Sequence, residues 1–405
     1  MLQSAGDGGA RAPYLRAANV QPDGVLALQD VKEMLFEPGE LAQLTLRRGD
    51  VVVVEGGQGG YGRAAYVHSN LVGWGFQNSI MRLRPNGADG RFIAYYLLAA
   101  RERGFIQATC NVVSMPHYTS EKLSATPIPL PPTKDQVLVA DYLDRETAQI
   151  DALIGKQERL IETLRERRNG VLLRGVTKGV DRSVDVRQSG LRWAGGIPRH
   201  WDVGNIRRYA TMKTGHTPSR STSAYWRDCH IPWVTLADVH QMRPGTDLYV
   251  SPTTSACISE LGLTNSAAEL LPAKTVMLSR TASVGFAAMM PTAMATSQDY
   301  WNWVCGPGLS PEYLTLVFRA MREEFRALMT GSTHKTIYQA TAASLSIPVP
   351  PLEEQKFIVV HLLEAMHEID ALLAKAEQLI VLVRERRSAL ITAAVTGQID
   401  VRRAA

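Results

Sequence analysis

Cysteine is scarce: Cys110, Cys229, Cys257 and Cys305 are the four in 405 residues, and no two lie closer than 28 positions. That spacing excludes a disulfide framework, a zinc knuckle and a CxxC redox pair, so reduced, buried thiols are expected. Also missing is any charge-free apolar run of the roughly 18 residues that a membrane span needs, and any basic-then-apolar leader. Neither secretion nor membrane contact is expected, and the expected location is the cytoplasm.

Catalytic signatures are missing too. There is no Walker A lysine loop, no pair of histidines at metal-ligand spacing, no G-x-S-x-G elbow and no Asn/Asp-Pro-Pro-aromatic motif of an amino-methyltransferase. No cofactor, no metal and no catalysis by the chain itself are expected. Residues Gly57 to Gly62 read GQGGYG and satisfy G-x-G-x-x-G after an apolar strand. A dinucleotide fingerprint needs a helix opening at the third glycine and a carboxylate about 20 positions on. Here the following residues are β-like and the next carboxylate is Asp89. A glycine-rich hairpin loop is expected instead.

What the chain does contain is a second copy of itself. IPLPPTKDQ, beginning at Ile128, returns as IPVPPLEEQ at Ile347, an offset of 219 residues. At that offset Ile150-Asp151-Ala152-Leu153 pairs with Ile369-Asp370-Ala371-Leu372, and Arg165-Glu166-Arg167-Arg168 with Arg384-Glu385-Arg386-Arg387. A repeat this long duplicates a whole domain-plus-helix unit and predicts approximate twofold symmetry. Length alone predicts more than one domain. A hydrophobic content of 45%, a net charge of +5 and a pI near 9.0 describe a mildly basic globular protein, permissive of nucleic acid.

Residues 133–176 and 352–395 are proline-free and helix-forming, each starting just after a double proline. Ile150, Leu153, Gln157, Leu160, Leu164, Arg167 and Val171 follow a 3,4 spacing, as do Ile369, Leu372, Ala376, Leu379, Val383, Arg386 and Leu390. These stripes predict an antiparallel coiled coil, since the first helix must end at the second globular unit and the second must return. Short β-type runs at 51–54, 64–67 and 80–83, with a helix over 91–101, mark the first unit. Runs at 275–278, 285–289 and 301–304, with a helix over 311–328, mark the second. The fold class expected is α+β: two mixed domains (1–127 and 183–346) separated by two long helices (128–182 and 347–405).

Candidate DNA contacts fall in two loops per unit. The first loop offers Gln58, Tyr61 and Arg63 in one copy and Arg280, Thr281 and Ser283 in the other. The second offers Asn111, Ser114 and His117, and Ser332, Thr333, His334 and Lys335. All can reach base edges or phosphates, though an ordinary solvated turn accounts for any one of them. Arg165, Arg167, Arg168, Arg384, Arg386 and Arg387 grip a shared partner, or else form a solvated face with pairs such as Glu162 with Arg165. Trp193, Trp201, Trp226, Trp233, Trp301 and Trp303 are expected in the core rather than stacked on bases.

The order GIPRHW, TGHTPSR, YW and IPWVTLADV (196–239), then GSTHKTI, IPVPPLEEQ and a helix ending RERRSALITAAVTGQID, resembles the specificity subunit of a type I restriction-modification enzyme. In the first half PYLRAANV stands for IPWVTLADV and IPLPPTKDQ for IPVPPLEEQ. The resemblance covers nearly the whole chain. It implies two target-recognition domains, each reading half of a bipartite double-stranded DNA site, and helices that act as a ruler and dock two methyltransferase subunits. Restriction/translocase subunits join that core. The departure is at the front. About 35 residues precede the matched strand in the second unit and only a dozen do in the first, with nothing compensating after Val401. Either a late start codon or a shortened first domain, lacking its opening strands, is expected. The alternatives are a coiled-coil interaction protein that does not read DNA, and a nucleotide-dependent oxidoreductase resting on the glycine run.

Overall fold

The computed structural model describes residues 9–57, 59–110, 116–242, 245–329 and 336–403. Two long helices dominate, Thr133–Lys178 and Leu352–Val395. The contacts divide into two compact units, each holding part of both helices: residues 1–158 with 378–405, and residues 159–377.

In the first unit Val51–Val54 is the central strand, antiparallel to Ala64–Tyr66 on one side and to Ile80–Leu83 on the other. All four valines are buried because both faces of this strand are covered. Val51 and Val53 pack with Ile93 and Leu97 of the helix Gly90–Glu102, while Val52 and Val54 pack with Leu15, Leu46 and Ile80. A second sheet sets Ala10–Leu15 antiparallel to Lys32–Phe36 and parallel to Gly75–Phe76. The glycine run is the turn of the hairpin between Val51–Val54 and Ala64–Tyr66, with no helix at Gly62. There Gly62 has φ +73° and lies so close to Ile106 that a Cβ would stand 2.6 Å from its Cγ2.

The second unit repeats this plan. Val276–Ser279 lies between Ala287–Met289 and Tyr300–Cys305, and Ile231–Val234 pairs with Cys257–Ile258 and with Ala295–Thr296. It adds Ala210–Thr214 along the outer edge of Tyr300–Cys305, and Asp202–Asn205 against Ser346–Val349. Among the described residues the first unit has no counterpart of these two strands, and Leu130, in the segment related to Ser346–Val349 by the repeat, is exposed. The helix expected over 311–328 is interrupted at Met321, giving Pro311–Ala320 and Arg322–Ala327. Trp201, Trp233, Trp301 and Trp303 are core residues, while Trp193 and Trp226 are half-buried. All four cysteines are free, but only Cys110 is buried outright. Among the described residues no helix is long and apolar enough to cross a membrane, and no cluster of metal-ligating side chains forms.

The double-proline motif has a structural meaning beyond starting a helix. Gln355 is fully buried; its Nε2 donates to the carbonyls of Pro350 (2.8 Å) and Gly308 (3.0 Å), and its Oε1 accepts from the Ser310 amide (2.8 Å). Ser310 caps the helix Pro311–Ala320, so the glutamine ties the long helix to the start of the short one. Gln136 does the same in the first unit, donating to Pro131 O (2.7 Å) and accepting from the amide of Asp89, the cap of Gly90–Glu102 (2.9 Å).

Within each unit the long-helix segments run antiparallel. In the second, Arg165 pairs with Glu377 (2.9 Å) and Arg168 with Asp370 (2.6 Å); in the first, Arg384 pairs with Glu158 (3.2 Å) and Arg387 with Asp151 (2.9 Å). Half of the expected stripe turns inward (Ile150, Gln157, Leu164 and Val171; Ile369, Ala376, Val383 and Leu390), and the other half is displaced by one residue. Ile154, Ile161, Arg168 and Leu172 turn inward, as do Leu373, Ile380, Arg387 and Ile391. Leu153, Leu160, Arg167, Leu372, Leu379 and Arg386 face solvent. The partner helix offers a carboxylate at the position of Arg168, so an ion pair occupies a seam position that apolarity alone would not assign.

Candidate nucleic-acid interface

In each unit the start of the first candidate loop meets the described residues at the end of the second. Glu55 and Gly56 leave the central strand of the first unit and meet His117 and Tyr118: Gly56 forms a β-bridge with His117, and the Tyr118 amide donates to Glu55 O at 2.7 Å. A Cβ on Gly56 would come within 2.7 Å of the His117 ring, so the loops meet there only because residue 56 has no side chain. In the second unit Arg280 and Thr281 leave Val276–Ser279 and meet Thr336 and Ile337. Thr281 bridges to Thr336, and the Ile337 amide donates to Arg280 O at 3.0 Å. Segments some 60 residues apart in sequence thus meet, twice, in one backbone frame.

The first loop of the first unit is held from below. Arg101 donates to the carbonyls of Tyr61 (3.3 Å) and Gly59 (3.1 Å), and Lys122 donates to His117 O (2.8 Å). Tyr61 and Arg63 are half-buried and His117 is exposed. Burial, and the neighbouring Arg101 charge, hold the Arg63 guanidinium below its usual range, and its buried Nε has no acceptor among the described residues.

In the second unit Thr281 Oγ1 donates to Asp299 Oδ1 (2.6 Å) and Ser297 Oγ to Asp299 Oδ2 (2.9 Å), which fixes the loop. Ser283 is half-buried in the same turn. The Arg280 guanidinium stacks 4.2 Å from the centre of the Trp301 ring, whose Nε1 is in turn anchored on Ile337 O (2.9 Å). Burial lowers the affinity of Arg280 for its proton, and its buried Nε lacks an acceptor among the described residues. Gln58, Asn111, Ser114, Ser332, Thr333, His334 and Lys335 lie outside the described residues.

The arginine quartets divide. Arg165, Arg168, Arg384 and Arg387 are engaged in the helix pair; Arg165 turns to Glu377 of the other helix and not to Glu162 of its own. Arg167 and Arg386 are exposed and form no ion pair among the described residues. The helices carry another repeated feature absent from the sequence reading. Leu138 and Phe357, Leu153 and Leu372, and Leu160 and Leu379 are all exposed, and each pair is related by the 219-residue offset. Pairing within the repeat was the available signal.

Two α+β units of one plan, each joined to both long helices and each presenting a paired-loop junction, define a duplicated recognition scaffold. A family model described as the type I restriction modification DNA specificity domain matches residues 12–163 and 198–380. The chain belongs to that family and is built as a specificity subunit.

Among curated relatives, the type I restriction enzyme MjaIX specificity subunit of Methanocaldococcus jannaschii is 30% identical over 166 residues, 40% of this chain and 37% of that one. The putative MjaX specificity subunit of the same organism is 24% identical over 334 residues, 80% of this chain and 72% of that one. The fold is similar to that in a structure titled for complex assembly and conformational transition of the type I R-M system, with a TM-score of 0.70 at 18% identity over 95% of this chain and 91% of that one. It is also similar to the HsdS subunit from Thermoanaerobacter tengcongensis, with a TM-score of 0.52 at 17% identity over 96% of this chain and 91% of that one.

Proposed function

We propose that this chain reads a bipartite double-stranded DNA site for a type I restriction-modification complex, docks two methyltransferase subunits, and is itself non-catalytic and cytoplasmic. Residues 1–127 and 183–346 serve as the recognition domains, and 128–182 and 347–405 as spacer helices. Restriction/translocase subunits join through that core. The observation that carries the reading is the recurrence of the paired-loop junction in both units. A junction built twice in one backbone frame, with different charged and polar side chains in each copy, suits two different half-sites of a mildly basic protein's DNA target. The exposed apolar positions repeated along the helices support two equivalent docking sites, because solvated helix faces do not need leucine and phenylalanine at repeat-related places.

The test is to express the chain with a type I methyltransferase subunit. Native mass spectrometry should give two methyltransferases per chain, and methylome sequencing should give a two-part, asymmetric motif. A one-to-one complex refutes the paired docking sites; methylation with no sequence motif refutes DNA reading.

A further inference from the structure

The two units place opposite charges at one backbone position. Glu55 and Arg280 each follow the last residue of the central strand, and their backbone bonds match. The Glu55 amide donates to Ser79 O (2.8 Å) and its carbonyl accepts from Tyr118; the Arg280 amide donates to Asp299 O (2.9 Å) and its carbonyl accepts from Ile337. Both open the first loop at its junction with the second. Neither is in a direct ion pair among the described residues: no donor is bonded to the Glu55 carboxylate, and the Arg280 guanidinium stacks on Trp301, with the Asp299 carboxylate near enough to attract it but not in contact. A carboxylate with no partner among the described residues, on a surface that meets a polyanion, is repelled by phosphate, so phosphate gripping cannot be the shared role of this position. Base edges suit both charges. Guanine offers the O6 and N7 acceptors that a guanidinium bridges, and cytosine offers the N4 amino donor that a carboxylate accepts.

Resting on the DNA-recognition reading above, we propose that this position reads one base pair in each half-site, Arg280 selecting a guanine and Glu55 a cytosine. The Trp301 stack fixes the plane of the Arg280 fork and leaves its outer nitrogens for the base. One position of the fold thereby gives the two halves of the target different content.

The test is selection from a random duplex library by the full chain, together with its methyltransferase, comparing wild type with Arg280→Lys and Glu55→Gln. The wild type should enrich two blocks, with a G·C pair fixed in each. Lysine keeps the charge but not the bidentate fork, so Arg280→Lys should relax one guanine in one block and weaken the best site by about tenfold. Glutamine pairs bidentately with adenine, so Glu55→Gln should change one cytosine in the other block to adenine. That altered preference cannot arise from misfolding. Uniform weakening over all sequences by Arg280→Lys, or unchanged motifs in both variants, overturns the base-reading role while leaving DNA recognition standing. No enriched motif in the wild type overturns both.

Discussion

The Arg168 guanidinium lies against the Asp370 carboxylate at 2.6 Å, and the two residues related to them by the repeat, Arg387 and Asp151, meet in the same way at 2.9 Å with the roles of the helices exchanged. Arg168 is almost wholly buried, so its charge depends on that partner. Arg168→Ala should destabilise the second unit by about 2 kcal/mol, since Asp370 loses its hydrogen-bonded cation and keeps only the longer-range attraction of the buried Arg319. The exchange Arg168→Asp with Asp370→Arg should recover most of the loss. Urea denaturation of the single and double variants measures both, and a single variant within about 0.5 kcal/mol of wild type contradicts the seam role.

Gln355 should be less replaceable than any exposed residue of its helix. Gln355→Ala removes three hydrogen bonds and leaves the buried Ser310 amide without an acceptor, a cost of about 2–3 kcal/mol. Hydrogen exchange should report the loss first at the start of Pro311–Ala320. Protection there equal to wild type speaks against the glutamine as the tie between the helices.

Acid should weaken the first unit through Asp50. Burial acts to raise the pKa of this carboxyl, but two hydrogen bonds from Arg84 (2.6 and 2.7 Å) and one from the Arg47 amide (2.8 Å) outweigh it, and the net result lies below the ordinary 3.8. With the folded pKa depressed, the stabilisation is fully present well above pH 3.8. It is lost as the pH falls through 3.8 toward the lower folded value. Asp50→Asn should lower the melting temperature at pH 7 and flatten its fall between about pH 5 and 3. A variant whose pH profile parallels the wild type shows that other carboxylates set the acid limit.

Replacing the exposed leucines should separate docking from folding. Leu153→Ser with Leu372→Ser, or Leu160→Ser with Leu379→Ser, should lower the melting temperature by only a few degrees, about what surface substitutions cost, because each side chain is already partly exposed. Methyltransferase binding, followed by calorimetry, should weaken at least tenfold, about 1.4 kcal/mol. Wild-type affinity in both double variants moves the docking surface away from these residues.

Much of the scaffold is legible in the sequence. The long helices declare themselves by proline-free composition between punctuating prolines, and Val51–Val54 by a short β-branched run that suits a strand covered on both faces. The second row of the helical seam is not. Leu153 and Ile154, or Leu160 and Ile161, are neighbours of equal apolarity, and a one-dimensional pattern has no means of choosing which turns inward. Choosing correctly requires Asp370 opposite Arg168, a contact between residues 202 apart. Gln136 and Gln355 were visible as repeated letters, but their function depends on amides 45 or more residues away. Glu55 escaped notice because the hairpin loops differ in length, so that it matches Arg280 at a spacing of 225 residues and not 219.

The exchanged ion pairs have an implication for symmetry. Each repeat carries an aspartate, a glutamate and two arginines that serve the other repeat's helix, and the same four residues would serve a second copy of itself. In one repeat alone, Asp370 would face Arg387 of a sister chain and Glu377 would face Arg384, with the complementary contacts closing the loop. The interface is therefore isologous in form: a chain carrying one repeat holds every residue needed to pair with a second copy of itself, so the stem does not require the two heads to be alike.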